Sequence, residues 1–188
     1  MITVDEALWA FGRGTGVVAL ALLSLSMVLG VVHRSGRPLP GLPRFALTLV
    51  HRDAALLASV FTLIHVVALF LDPQAQLNVV DFVVPFLGAS NPLWLGLGTL
   101  AGDVLIALML TGLLRRRFGF RVFRFVHWFA YAMWPIAILH SFGDGTDAAS
   151  TWFNVVAVLC VVSVVSAVGW RLTAGFVEFK KLRTGELP

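Results

Sequence analysis

Four of the five histidines in this 188-residue chain form two pairs with nearly equal spacing. His51 and His65 are fourteen residues apart, and His127 and His140 are thirteen residues apart. Neutral imidazole is a common ligand for iron, copper and zinc. Both pairs lie in strongly apolar segments, where an ionisable side chain is costly to bury and usually has a function. These four histidines are therefore the residues whose type and spacing point most directly to chemistry.

The apolar segments around the histidines indicate an integral membrane protein. Hydrophobic residues make up 59% of the chain and charged residues 13%, about half the charged share of a soluble domain. Five segments approach the length of a membrane-spanning helix, namely residues 14–32, 47–71, 93–114, 122–142 and 151–172. We therefore predict an all-α fold, a single domain over residues 1–188 with five transmembrane helices, located in the cell membrane.

Charges in the connections predict the orientation of the bundle. The connections after the first and third helices, and the residues after the fifth, are rich in arginine and lysine, whereas the other two connections carry aspartate and no arginine or lysine. Basic residues accumulate on the cytoplasmic side, so we predict an outer N-terminus and a cytoplasmic C-terminus. A stiff inner turn is predicted at Pro38, Pro40, Gly41 and Pro43, and the apolar segment from Leu77 to Phe86 is expected along the outer interface.

This topology places the histidines at two depths. The second and fourth helices run parallel, so His51 and His127 are expected near the cytoplasmic side and His65 and His140 near the outer side. The two depths are roughly 20 Å apart along a helix axis. Two axial imidazoles leave heme iron no open coordination site, which suits electron transfer. We therefore predict two stacked b-type hemes, the inner one between His51 and His127 and the outer one between His65 and His140.

The angle around the helix axis between His127 and His140 fits this arrangement less well than the angle between His51 and His65. Fourteen helical residues return His65 to within roughly 40° of His51, whereas thirteen leave His140 about 140° from His127 in a straight helix. Pro135 lies between them and lacks an amide donor, so a kink or a change of helical phase is expected there.

Four charged residues near or within the predicted helices are further candidates. Arg13 on the outer side, and Arg52 and Arg124 on the inner side, stand at depths where a guanidinium could pair with a heme propionate, although each is also typical of an interfacial anchor. Asp103 lies near the middle of the third helix. It could accept a hydrogen bond from the second nitrogen of a ligand histidine, lie on a proton path, or serve packing alone.

The paired histidines on two parallel helices of a small bundle resemble the ferric reductase-like transmembrane domain superfamily, from about Gly12 to Arg171. That superfamily includes the NADPH oxidases, the ferric reductases and the heme subunit of the periplasmic methionine sulfoxide reductase system. The resemblance implies electron transfer from the cytoplasmic face through two b-type hemes, with the four histidines as ligands. The residues after the fifth helix are too few for the flavin and NADPH domain of larger members, so we expect an electron-transfer component of an oxidoreductase rather than a self-sufficient enzyme.

The predicted function is transmembrane electron transfer within a lipid bilayer, and the basic residues require no nucleic-acid partner. The expected donor is a cytoplasmic flavoprotein reductase or quinol, and the expected acceptor is an extracytoplasmic protein or small molecule. One alternative is a quinol-oxidising heme anchor for a separate extracytoplasmic oxidoreductase. An alternative from another class is a heme-free proton or metal-ion path formed by the histidines and Asp103.

Overall fold

The computed structural model describes residues 3–35, 43–73, 75–88, 91–173 and 175–178. Within this part of the chain the helices are α1 (Val4–Arg34), α2 (Arg44–Leu71), α3 (Val79–Val83), α4 (Pro92–Leu113), α5 (Arg115–Phe118), α6 (Phe120–His127), α7 (Ala130–Gly143) and α8 (Thr151–Leu172). Five segments are long and apolar enough to span a membrane: α1, α2, α4, α6 together with α7, and α8. The predicted all-α membrane fold with five spanning helices is confirmed. Of the predicted proline turn, residues 38–41 lie outside the described residues, and Pro43 is the N-cap residue of α2.

Helix α1 begins ten residues before the predicted start of the first span. The Thr3 hydroxyl accepts from the Glu6 amide at 3.2 Å, and the Glu6 carboxylate accepts from the Thr3 amide at 2.8 Å. This capping box satisfies two amides that the first turn would otherwise leave unpaired. The prediction followed the apolar run and did not use this polar start signal. The other four spans begin and end within three residues of their predicted bounds.

The fourth span is divided into α6 and α7 by a turn at Trp128 and Phe129. Around this turn four amides bond to the carbonyl three residues earlier, from Trp128 to Phe125, Phe129 to Val126, Tyr131 to Trp128, and Ala132 to Phe129. Each such step rotates the chain about 20° further than an α-helical step, so four of them reduce the predicted phase difference between His127 and His140 to roughly 60°. The change of phase therefore occurs six residues before Pro135 rather than at it.

Helix α1 packs against α2, α8 and α7, and α4 packs against α7. One core cluster joins α1, α7 and α8 through Leu20, Trp134, Ile138, Cys160 and Val164. Trp134 also donates from its indole nitrogen to the Ser24 hydroxyl at 2.8 Å. A second cluster joins α4 and α7. These contacts fix α7 against both α1 and α4, which are the helices that contact the site histidines.

The two ends of the bundle differ in charge. One end, which we call the basic end, contains the end of α1, the start of α2, the α4–α6 connection and the end of α8. The opposite end, the acidic end, contains the α2–α4 and α7–α8 connections, with Asp72, Asp81, Asp144 and Asp147. At the acidic end, α3 is fixed to α4 because the Thr99 hydroxyl donates to the Asp81 backbone carbonyl at 2.5 Å.

Candidate functional site

His51 on α2 is held by a backbone carbonyl of α1. Its Nδ1 lies 2.9 Å from the Ser26 carbonyl oxygen and 3.3 Å from the Ser26 hydroxyl. The ring lies against Gly30, where an added Cβ would be 3.3 Å from Cε1. Because a carbonyl can only accept, the Nδ1 nitrogen carries the proton and Nε2 keeps its lone pair.

His65 repeats this arrangement fourteen residues, or about four helical turns, further along α2. Its Nδ1 lies 2.7 Å from the Gly12 carbonyl oxygen of α1. The ring lies against Gly16, where an added Cβ would be 2.9 Å from both Cε1 and Nδ1. His65 therefore has its Nδ1 satisfied within the protein and its Nε2 free to ligate.

His140 on α7 is held in the same way by α4. Its Nδ1 lies 2.8 Å from the Trp94 carbonyl oxygen. An added Cβ on Gly98 would lie 2.6 Å from Cε1 and 2.7 Å from Nδ1 of the ring. Any side chain at Gly98 would therefore displace the imidazole.

The three histidines share one structural device, which we call the carbonyl–glycine turn. A helix carbonyl at position i accepts from Nδ1, and a glycine at position i+4 lets the ring lie against the helix backbone, because these two positions are on the same face. The pairs are Gly12 with Gly16, Ser26 with Gly30, and Trp94 with Gly98. The sequence prediction missed this device, although the fourteen-residue interval from Gly16 to Gly30 matches that from His51 to His65.

His127 is held differently from the other three. Among the described residues it has no hydrogen-bond partner, and its ring stacks on Phe123 with centroids 5.1 Å apart and an interplanar angle of 30°. The His51 ring lies 6.2 Å away, centroid to centroid, at an interplanar angle of 82°. The structure thus brings His51 and His127 together near the basic end.

His65 and His140 lie near the acidic end. They are close enough to interact electrostatically, and the Asp144 carboxylate is within the same range of His65. Within the described residues, no group of three or more histidine, cysteine, aspartate or glutamate side chains is arranged to hold a metal ion. The histidines are therefore arranged as pairs rather than as a self-contained metal site.

Of the three predicted arginines, Arg13 is the most enclosed. Its Nη1 donates to Asp147 Oδ1 at 2.6 Å, and its guanidinium lies 3.4 Å from the centroid of the Trp9 ring. Its buried Nε has no partner within the described residues, so this donor is available to a further acceptor at the acidic end.

Arg52 and Arg124 are both exposed. Arg52 donates to Asp53 at 3.2 Å, and the Arg124 guanidinium lies 6.0 Å from the Phe120 ring centroid. A different arginine, Arg34, lies within electrostatic range of His127. Arg34 also pairs with Glu178 at 3.1 Å, a contact between distant parts of the chain that sequence spacing could not reveal.

The expectation that Asp103 accepts a hydrogen bond from the second nitrogen of a ligand histidine is wrong for three of the four histidines. The second nitrogens of His51, His65 and His140 bond to backbone carbonyls and not to this carboxylate. The physical reason is that each ring packs directly against a neighbouring helix, which puts a main-chain acceptor within reach. A proton path or a packing role remains for Asp103.

Comparison of the chain with known proteins identifies its family. The family described as ferric reductase like transmembrane component has a sequence model that matches residues 15–138, about two thirds of the chain. The match includes His51, His65 and His127 and ends two residues before His140. No curated protein and no solved structure matches the chain. The predicted resemblance is confirmed, and the chain belongs to the ferric reductase like transmembrane component family.

Proposed function

We propose that this protein carries electrons across the cell membrane through two bis-histidine b-type hemes. Membership of the ferric reductase like family supports transmembrane electron transfer in general. The observation that carries the finer proposal is the carbonyl–glycine turn at three of the four histidines. Each turn fixes Nδ1 as the donor and leaves Nε2 as a free lone pair.

A histidine that ligates a metal generally donates its other ring nitrogen to a carbonyl or carboxylate, which fixes the tautomer and the ring orientation. His51, His65 and His140 have this partner as part of the helix packing. Each ring also needs a side-chain-free surface on the neighbouring helix in order to reach its carbonyl. The glycines at positions 16, 30 and 98 supply that surface and allow the ring to reach the carbonyl.

The His51 and His127 rings support a pair of axial ligands at the basic end. With nitrogen–metal bonds of about 2 Å, two imidazoles on one metal ion have centroids roughly 6 Å apart. The observed centroid separation is 6.2 Å. Two nitrogen donors suit a heme because the macrocycle supplies the remaining equatorial ligands. We assign the second heme to His65 and His140, which lie near the acidic end on α2 and α7 and are each held by a carbonyl–glycine turn.

Heme, when bound, supplies an iron couple that accepts and releases one electron. A heme held by two histidines, as proposed, would serve electron transfer rather than oxygen activation. Arg13, with its free Nε donor, is the best placed of the predicted arginines to bind an outer propionate. For the inner propionates we retain Arg52 and Arg124 and add Arg34, because it lies within electrostatic range of His127.

The proposed orientation in the membrane rests on the charge distribution. Basic residues favour the cytoplasmic side, so we place the basic end inside the cell and the acidic end outside. Electrons would then enter from a cytoplasmic flavoprotein reductase or quinol on the side of His51 and His127, and would leave to an extracytoplasmic protein or small molecule on the side of His65 and His140. A chain of this kind acts as the membrane electron-transfer component of an oxidoreductase.

The direct test is a reduced-minus-oxidised visible spectrum of the purified protein from cells supplied with heme. We expect a b-type signal and a ratio of two hemes per chain by pyridine hemochrome assay. A complete lack of b-type signal would overturn the proposal and leave the heme-free proton or metal-ion path. One heme per chain would disprove the second site while retaining the first.

A further inference from the structure

An open groove of about 430 Å³ lies on the exposed surface of the fourth span. It is lined by Phe125, Trp128, Phe129 and Ala132 and is almost wholly apolar. These residues have the spacing of one helical stripe. Trp128 is 53% exposed and Phe129 46% exposed. The groove therefore faces the surrounding lipid rather than the histidine pairs.

Two arginines lie near this groove, one toward the basic end of its helical stripe and one beside Trp128. Arg121 is exposed and precedes Phe125 by four residues, which places it on the same helical stripe. The Arg171 guanidinium lies 4.9 Å from the centroid of the Trp128 ring and donates to the Tyr131 hydroxyl. The sequence has no acidic residue between Asp103 and Asp144, so the fourth span supplies no carboxylate to either arginine.

We propose that this groove binds one anionic phospholipid, with an acyl chain against the aromatic residues and the phosphate between Arg121 and Arg171. The apolar lining matches the chain, and charge complementarity selects the headgroup. Arginine is especially suited to a phosphate because its planar guanidinium can donate two parallel hydrogen bonds. A neutral quinone would fill the apolar groove and supply no anion to the two arginines, neither of which has an ion pair within the described residues.

The position of the groove links this lipid to the histidine pairs. Trp128 and Phe129 line the groove and also form the turn between α6 and α7. That turn sets the phase of His140 relative to His127. A bound lipid would stabilise this turn from the outside, although the binding itself depends on no heme and is independent of the proposed electron transfer.

Native mass spectrometry tests the proposal with defined lipids. The purified chain is incubated in detergent with equal concentrations of phosphatidylglycerol and phosphatidylcholine of identical acyl chains, and the retained lipids are compared. An arginine near an anionic headgroup is worth about a five-fold preference, so two arginines predict roughly a 25-fold preference for phosphatidylglycerol. R121Q should lower that preference about five-fold, and R121K should retain most of it.

R116Q is the matched control, because Arg116 is an exposed arginine outside the groove. It should leave the preference unchanged, while A132W should fill the groove and lower retention of both lipids. Equal retention of the two lipids by the unaltered chain would overturn the proposal. Equal losses in R116Q and R121Q would replace it with diffuse surface attraction. Displacement of lipid by ubiquinone, with no effect of R121Q, would make the groove a quinone site instead.

Discussion

At the scale of single residues, the second nitrogen of each histidine determines what its first nitrogen can do. A helix carbonyl holds Nδ1 of His51, His65 and His140, so their Nε2 atoms keep the lone pair that a metal requires. His127 instead stacks on Phe123. The inner pair therefore combines one histidine fixed by a hydrogen bond with one fixed by aromatic packing.

Replacement of single histidines should separate the two proposed hemes. H65A or H140A should remove the outer heme and leave the inner one, and H51A or H127A should do the reverse, because each heme depends on its own axial pair. The measurement is heme content per chain with the low-temperature spectrum of the remaining species. The same spectrum after H65A and H51A would show that the assigned pairing is incorrect.

Gly98 is the sharpest test of the carbonyl–glycine turn. An added Cβ would lie 2.6 Å from the His140 ring, and the ring, at the end of a side chain, would move before the helix backbone does. G98A should therefore weaken outer-heme binding by roughly 10- to 100-fold, as expected when the group that orients a ligand is lost. Thermal stability of the heme-free chain should not fall, because alanine is favoured over glycine within a helix.

Gly102 provides the matched control on the same helix, since no atom lies within 4 Å of an added Cβ there. G102A should leave heme content and the visible spectrum unchanged. The same comparison is available on α1, where Gly14 is open and Gly16 contacts His65. If G98A and G102A bind heme equally, the glycine has no role in positioning His140.

At the scale of helices, the division of the fourth span reduces the phase difference that the thirteen-residue spacing of His127 and His140 would give in a straight helix. Hydrogen bonds to the third preceding residue around Trp128 and Phe129 rotate α7 relative to α6. Pro135 cannot donate to the Tyr131 carbonyl, and its ring crowds that carbonyl. A tighter turn at Trp128 and Phe129, immediately before Tyr131, is what this crowding would produce.

P135A should let the fourth span relax toward a continuous α-helix. The helix itself should become more stable, by up to about 3 kcal/mol from intrinsic preference, while His140 rotates away from its position opposite His65. We therefore expect a higher thermal midpoint of the heme-free chain together with a lower content of the outer heme. If heme content stays at the wild-type value, Pro135 does not control the turn.

The sequence was sufficient for the spans, because long apolar segments without charge admit few structures other than helices. It was also sufficient to expect a change of helical phase within the fourth span, although the expected place was Pro135. The four histidines as heme ligands stay a prediction. The sequence did not reveal the turn at Trp128, which depends on hydrogen-bond geometry, or the roles of Gly16, Gly30 and Gly98, which depend on helix contacts. Arg34 was missed for the same reason, since its relation to His127 arises only from packing.

At the scale of the whole molecule, the charge asymmetry of the bundle predicts its orientation in the membrane. The described acidic end joins α1 to the α7–α8 connection through the Arg13–Asp147 ion pair, whereas the basic end carries exposed arginines on α5 and α6. A donor on the basic side and an acceptor on the acidic side require the basic end to face the cytoplasm. Orientation in the membrane is therefore as important to the function as heme content.

Cysteine labelling in intact cells measures this orientation directly. In a C160A background, which removes the chain's only cysteine, D5C and R116C place single exposed thiols near the start of α1 and at the basic end. Because basic residues are retained on the cytoplasmic side, D5C should react with a membrane-impermeant maleimide in intact cells, and R116C only after permeabilisation. The opposite pattern would invert the bundle and place the proposed donor outside. Both variants should keep the wild-type heme spectrum, so a reversed result would bear on direction alone and leave the two axial pairs intact.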